Sequence, residues 1–118
     1  LNKENVYMAE IKDYVAIAKD AIEEKKGTNV KILNISKISP IADYFILATG
    51  GNINQLHAMA DEVTDKLSKA GVHPKQTEGY NAGNWILMDY GDFMIHLFQP
   101  ESRDYYNLDR IWKDAVTE

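Results

Sequence analysis

The sequence predicts a mixed α/β domain of the α+β kind: a five-stranded mixed sheet with flanking helices, in the order α-β-β-α-β-β-β-α. Three observations carry this. Residues 6–26 and 52–70 repeat apolar side chains at helical spacing. The run DYFILAT, Asp43 to Thr49, is apolar almost throughout, as in a central strand buried on both faces. The run WILMDYGDFMIHLF, Trp85 to Phe98, has the form of a β-hairpin.

In the first helix Ile11, Tyr14, Val15, Ala18 and Ile22 form the core stripe. Lys25 and Lys26 suit the negative end of the helix dipole, and Gly27 is the expected stop. Val30–Ser36, VKILNIS, is rich in β-branched residues and predicts a strand. Ser39-Pro40 breaks it before the central strand begins at Asp43. Gly50-Gly51 ends that strand, and Asn52 caps the next helix with Gln55 in the capping-box position. Ile53, Leu56, Met59, Ala60, Val63 and Leu67 form its stripe, with His57 beside it as a boundary residue. Lys75–Glu78 fits a short edge strand, and GYNAG, Gly79–Gly83, a flexible connection. The β-α-β piece from Asp43 to Glu78 can supply a right-handed parallel crossover.

The hairpin has strands Trp85–Tyr90 and Phe93–Phe98 around a Gly91-Asp92 loop. A two-residue Gly-X loop matches a type II′ turn and fixes the register. Ile86, Met88, Tyr90, Phe93, Ile95 and Leu97 share one wholly apolar or aromatic face. The other face mixes Trp85, Leu87, Met94 and Phe98 with Asp89 and His96. Either helices cover both faces and satisfy Asp89 and His96 locally, or part of the second face stays open for a partner. After QPES a final helix begins near Arg103, with Tyr105, Leu108, Ile111 and Trp112 toward the core.

Composition narrows the function. The chain of 118 residues is one domain, and without cysteine it has neither disulfides nor thiol chemistry. No apolar run approaches a membrane span and LNKENVYMAE lacks a signal-like segment, so a cytoplasmic protein is expected. Residues 1–75 are neutral, whereas 76–118 carry the whole net charge of −5. Such an acidic half repels phosphate backbones and suits a basic protein partner better than nucleic acid.

Catalytic signatures are weak. Gly50-Gly51 before a helix start could hold a phosphate, but ATGGNINQ has neither the Walker lysine nor GxGxxG. A nucleotidyltransferase-like sheet is compatible with the element order, yet such enzymes need carboxylates close together on one face to hold Mg²⁺. Asp89 lies in the strand and Asp92 in the turn, so they do not meet that need. His57, His73 and His96 have no ligand spacing. Asp89 and His96, diagonal on one face, suit a structural hydrogen-bonded pair better than a general base, because no nucleophile is identifiable near them. The residues therefore favour a binding module over an enzyme.

Three runs carry a resemblance to a known family: IADYFILATG, GNINQLHAMADEV and EGYNAGNWILMDYGDFMIHLFQPESRDYYNLDRIW. Asp43-Tyr44-Phe45, Thr49-Gly50, Ala60-Asp61, Val63, Glu78-Gly79, Trp85, Asp89, Gly91-Asp92, His96, Phe98, Arg103, Tyr105-Tyr106, Leu108 and Trp112 follow its motifs in order. Over residues 11 to 115 the chain resembles the ribosomal silencing factor family, also called RsfS or Iojap. It departs at Asn52, where Ser is common, at Met94 and Ile95, where Val is usual, and at Tyr90, where many members have Leu.

The resemblance implies a bacterial cytoplasmic factor with a nucleotidyltransferase-like fold that lacks the catalytic residues and needs no cofactor. It implies binding to ribosomal protein L-fourteen on the large subunit, steric block of small-subunit joining, and repression of translation. The expected partner-binding residues are Trp85, Leu87, Asp89, Tyr90, His96 and Phe98; Tyr90 carries over to a family contact position although alternation puts it opposite Trp85. The alternatives are a nucleotide- or phosphate-binding enzyme acting through Gly50-Gly51, and a homodimer formed through the open sheet face.

Overall fold

The apolar run at Tyr44–Thr49 sits in the interior of the sheet, with all six residues buried. The computed structural model describes residues 3–118, with side chains from Glu10 onward. Its elements are α1 (Lys3–Glu24), β1 (Thr28–Asn34), β2 (Tyr44–Thr49), α2 (Ile53–Lys69), β3 (Gln76–Glu78), β4 (Trp85–Asp89), β5 (Phe93–Phe98), α3 (Pro100–Tyr106), α4 (Leu108–Ile111) and β6 (Val116–Thr117). The strands form one mixed sheet in the order β3-β4-β5-β2-β1-β6.

The sheet has six strands rather than the expected five. β6 pairs antiparallel with β1 through Leu33↔Thr117 and Asn34↔Val116. Two residues are too few to show a period in the sequence. The piece from β2 through α2 to β3 does place parallel strands in one sheet, but β5 and β4 lie between them. The adjacent parallel partner of β2 is β5, from Tyr44↔Phe93 to Thr49↔Phe98.

The hairpin register is the one its loop dictates: Trp85↔Phe98, Leu87↔His96 and Asp89↔Met94 on one face, Ile86↔Leu97 and Met88↔Ile95 on the other. Gly91 takes φ +86°, a conformation that side chains disfavour, and Tyr90 N–H closes the turn on Phe93 O at 3.0 Å. The wholly apolar face meets α1 and α2. There Ile11, Val15, Ala18 and Ile22 interlock with Leu56, Met59, Val63 and Leu67 over Ile46, Ile86, Ile95 and Leu97.

The first helix ends at Glu24, before the two lysines expected in its last turn. Lys26 supplies the left-handed residue at φ 67°, and Gly27 follows in close packing: a Cβ there would lie 2.4 Å from Ile22 Cγ2. The second helix starts as expected at Asn52, whose Oδ1 accepts Gln55 N–H at 2.8 Å. Gln55 Oε1 accepts from Gly51 N–H at 2.6 Å, one residue short of a true capping box, and Gln55 Nε2 donates to Lys25 O and Lys26 O. One side chain thus ties the end of α1 to the start of α2. Asn52→Ala is expected to cost about 1 kcal/mol in urea unfolding.

The final helix differs most from expectation. Pro100 opens α3, where its missing N–H is harmless, and Asn107 at φ 49°, ψ 52° ends it before α4. That left-handed residue breaks the 3.6-residue period. Leu108 and Trp112 still pack on the sheet, whereas Tyr105 and Ile111 face outward.

Candidate partner-binding face

Strand alternation puts Trp85, Leu87 and Asp89 of β4 beside Met94, His96 and Phe98 of β5 on the sheet face turned away from α1 and α2. From β2, Phe45 and Leu47 join the same face, and the C-terminal segment covers part of it through Leu108, Trp112 and Ala115. The face is therefore covered over β2 and β5, and part of it stays exposed to solvent along β4 and β3.

Trp85 is the centre of the open part. Its ring stacks on Phe98 at 5.1 Å and meets Tyr106 at 4.6 Å. Its indole Nε1–H donates to His96 Nδ1 at 3.1 Å. Phe45 closes the other side of His96 with ring centroids 4.7 Å apart. His96 is only 5% exposed, and its Nε2 is buried with no hydrogen-bond partner among the described residues. Burial pushes the imidazole down to a pKa of about 4, so the ring is neutral near pH 7.

The expected Asp89–His96 pair does not form. Asp89 Oδ1 accepts Gly91 N–H at 2.8 Å, closing an Asx-type turn, while His96 turns to the indole. Of the six residues expected to contact a partner, Trp85, Leu87 and Asp89 are half-buried and reach the surface. Phe98 and His96 lie beneath them as supports. Tyr90 is 6% exposed on the opposite face and stacks on Phe93 at 4.9 Å, so in this structure it is a core residue of the α2 side.

Glu78 and Gly79 join the face unannounced by the sequence. The pairing Glu78↔Leu87 puts Glu78 on the Trp85 side, and these residues line a shallow cleft of about 190 Å³ with Trp85 and Leu87. The connection before Trp85, expected from its glycines to be flexible, leaves that register open in the sequence; in the structure it is held by hydrogen bonds from Gly83 to Gly79 and from Gln99 to Gly83 and Asn84. Another residue whose role was not foreseen is Arg103. It is 4% exposed, grips Asp109 with two hydrogen bonds of 2.9 and 3.1 Å, and donates to Asn29 O and Thr49 Oγ1. Its motif position was visible, but not the partners, which come from β1, β2 and α4.

At the Gly50-Gly51 helix start the amides are already used. Gly50 N–H donates to Phe98 O, and Gly51 N–H to Gln55 Oε1. A phosphate would have to displace both bonds. Among the described residues, no group of three or more His, Asp or Glu is placed to hold a metal ion, and no helix is long and apolar enough to cross a membrane.

The chain is thus a mixed α/β domain with two helices on one face of its sheet and, on the other, an aromatic surface flanked by Asp89 and Glu78. The model of a family described as "Ribosomal silencing factor during starvation" matches residues 8–118, and the chain belongs to that family. It is 37% identical over 105 residues to ribosomal silencing factor RsfS of Halalkalibacterium halodurans, covering 89% of this chain and 90% of that one. It is 36% identical over 104 residues to the Bacillus subtilis protein of that name, covering 88% of each. A crystal structure of a Chromobacterium violaceum protein superposes with a TM-score of 0.85 at 36% identity, covering 87% of this chain and 86% of that one. The family is one of ribosomal regulators, and neither its description nor these relatives' names carry an enzymatic activity.

Proposed function

We propose that the protein silences ribosomes in the bacterial cytoplasm by binding ribosomal protein L-fourteen on the large subunit through the Trp85 face. Bound there, it blocks docking of the small subunit and so represses translation. The observation that carries this reading is the half-buried Trp85 indole, held rigid by Phe98, Tyr106 and His96 and flanked by acid. Large aromatic groups fixed in place before binding are the usual anchors of protein interfaces. Glu78 and Asp89 have no cationic partner within 4 Å among the described residues, which suits a basic ribosomal protein. The acidic half of the chain favours a protein contact over contact with ribosomal RNA.

Co-sedimentation with purified large subunits, with and without small subunits, tests this. The expected result is binding to large subunits and fewer joined ribosomes. Trp85→Ala should weaken binding by ~2 kcal/mol, about 30-fold, while the protein stays folded. Unchanged affinity in the folded variant would remove the Trp85 face from the interface. Self-association through this face would compete with the ribosome, and sedimentation velocity at several concentrations measures it.

A further inference from the structure

The connection between β3 and β4, Gly79 to Asn84, is a clamped loop. Tyr80 crosses from it to α2. The Tyr80 ring lies flat on His57, with centroids 4.0 Å apart and planes 7° from parallel. The Tyr80 hydroxyl donates to both oxygens of Asp61, at 2.9 and 3.1 Å. Tyr80 O accepts a hydrogen bond from His57 Nε2 at 2.6 Å. A carbonyl oxygen can only accept, so Nε2 carries the proton.

The rest of the loop is equally constrained. Gly83 N–H donates to Gly79 O, and Gln99 donates to Gly83 O through its side chain and to Asn84 O through its backbone. Gly83 lies so close to α2 that a Cβ would stand 2.2 Å from Ile53 Cγ1. Gly79, at φ +79°, lies against the backbone of Trp85: a Cβ there would stand 2.1 Å from Trp85 O. The loop thus joins α2, on one side of the sheet, to the rim of the Trp85 cleft on the other.

We infer that Tyr80 is a positioning residue for the partner-binding face: clamped by His57 and Asp61, it holds Gly79 and Glu78 in the shape that completes the Trp85 cleft. This rests on the reading that the Trp85 face binds the large subunit. The physical reason is entropic. A glycine-rich loop left free would have to be ordered each time a partner bound, and that cost would come out of the affinity. The stack and the two hydrogen-bonded contacts meet the cost during folding instead. His57 and Asp61 are one turn apart on α2, so a single helix face presents both halves of the clamp.

The test uses the intact chain and purified large subunits. Tyr80→Ala should weaken binding about tenfold, while Tyr80→Phe, which keeps the stack but not the bond to Asp61, should lose about threefold. Amide exchange at Gly83 should speed up in Tyr80→Ala, with the unfolding midpoint in urea almost unmoved. The discriminating readout is a double-mutant cycle with Trp85→Ala. If Tyr80 acts through the cleft, its replacement costs little once Trp85 is gone. Full additivity of the two, or wild-type affinity in Tyr80→Ala, would overturn the inference. Failure of the underlying reading would look different: Trp85→Ala by itself would bind like the wild type. Should Tyr80→Ala lower the unfolding midpoint strongly, Asp61→Ala, which removes the acceptor of the Tyr80 hydroxyl, serves in its place, and unaltered binding and Gly83 exchange there would count against the clamp.

Discussion

Replacing Arg103 by Met is expected to destabilise the fold by about 3 kcal/mol, read as a fall in the urea midpoint with an unchanged slope. Arg103 brings together four separate pieces of chain. Its Nε and Nη2 hold the two Asp109 oxygens, and its Nη1 reaches Asn29 O and Thr49 Oγ1, each at 3.0 Å. Lys31 adds a second cation on Asp109 Oδ1 at 3.0 Å. The Arg103 hydrogen bonds, followed by those of Lys31, hold the Asp109 carboxyl down at a pKa of about 2. Met fills the same channel with a similar stem but leaves the carbonyl, the hydroxyl and one carboxylate flank without donors.

Domains of this size are stable by only about 5–15 kcal/mol, so a loss of 3 is a large share. Arg103→Lys keeps the charge but not the planar fork and should lose about half as much. Arg103→Met with Asp109→Leu should recover part of the loss, because no carboxylate is then left short of its partner. A loss below about 1 kcal/mol in Arg103→Met would show that the node contributes little.

Acidification should weaken the fold well before the ordinary carboxylates titrate. His96 is neutral in the native state because its ring is buried among Phe45, Phe98 and Trp85, and its Nδ1 accepts the Trp85 indole proton. Burial lowers its pKa to about 4, against an ordinary value near 6.5. The unfolded chain therefore takes up the proton first. Stability is fully present above pH 6.5, falls as the pH drops toward 4, and loses about 3 kcal/mol over that window.

Asp109 acts lower down. Its folded pKa lies below its ordinary value of 3.8, so its contribution is lost as the pH falls from there toward 2. Unfolding free energies measured from pH 7.5 to 4 should show the first slope, and His96→Phe should flatten it. An unchanged slope in that variant would assign the acid sensitivity elsewhere. Protonation at Nδ1 would also point two donors at each other across the His96–Trp85 contact. Loss of the indole support should therefore accompany the loss of stability, and binding to large subunits should weaken in the same range.

What could be read from the sequence follows from the range of the interactions involved. The hairpin was legible in full because a two-residue loop leaves one register, and each pair from Trp85↔Phe98 to Asp89↔Met94 then follows by counting. The stripes of α1 and α2, the Asn52 cap and the interior position of β2 were legible for the same reason: each is set by neighbours a few residues away. The parallel contact of β2 with β5 was not, since no local rule says which distant strand lies next to a buried one. β6 was too short to show a pattern. The helix break at Asn107 was hidden because the residue is polar and unremarkable until its φ is seen.

The candidate face was half legible. Alternation identified Trp85, Leu87 and Asp89 correctly as neighbours, and could not tell that His96 and Phe98 would both be buried beneath them. The same alternation already set Tyr90 against Trp85, and the structure keeps them on opposite faces. The Asp89–His96 pair failed because each side chain found a nearer partner: a turn amide for one, an indole for the other.

The parallel join of β2 to β5 also bears on how the chain is made. Tyr44 pairs with Phe93, and Thr49 with Phe98, so each contact in the middle of the sheet spans 49 residues. During synthesis the first half can close the antiparallel pair β1–β2 and the packing of α1 against α2 and β2. One flank of β2, a strand apolar almost end to end, waits unpaired until the hairpin has cleared the exit tunnel. The newborn chain is thus most prone to aggregation in the interval between the emergence of Thr49 and that of Phe98, and slower elongation across that stretch would lengthen the exposure.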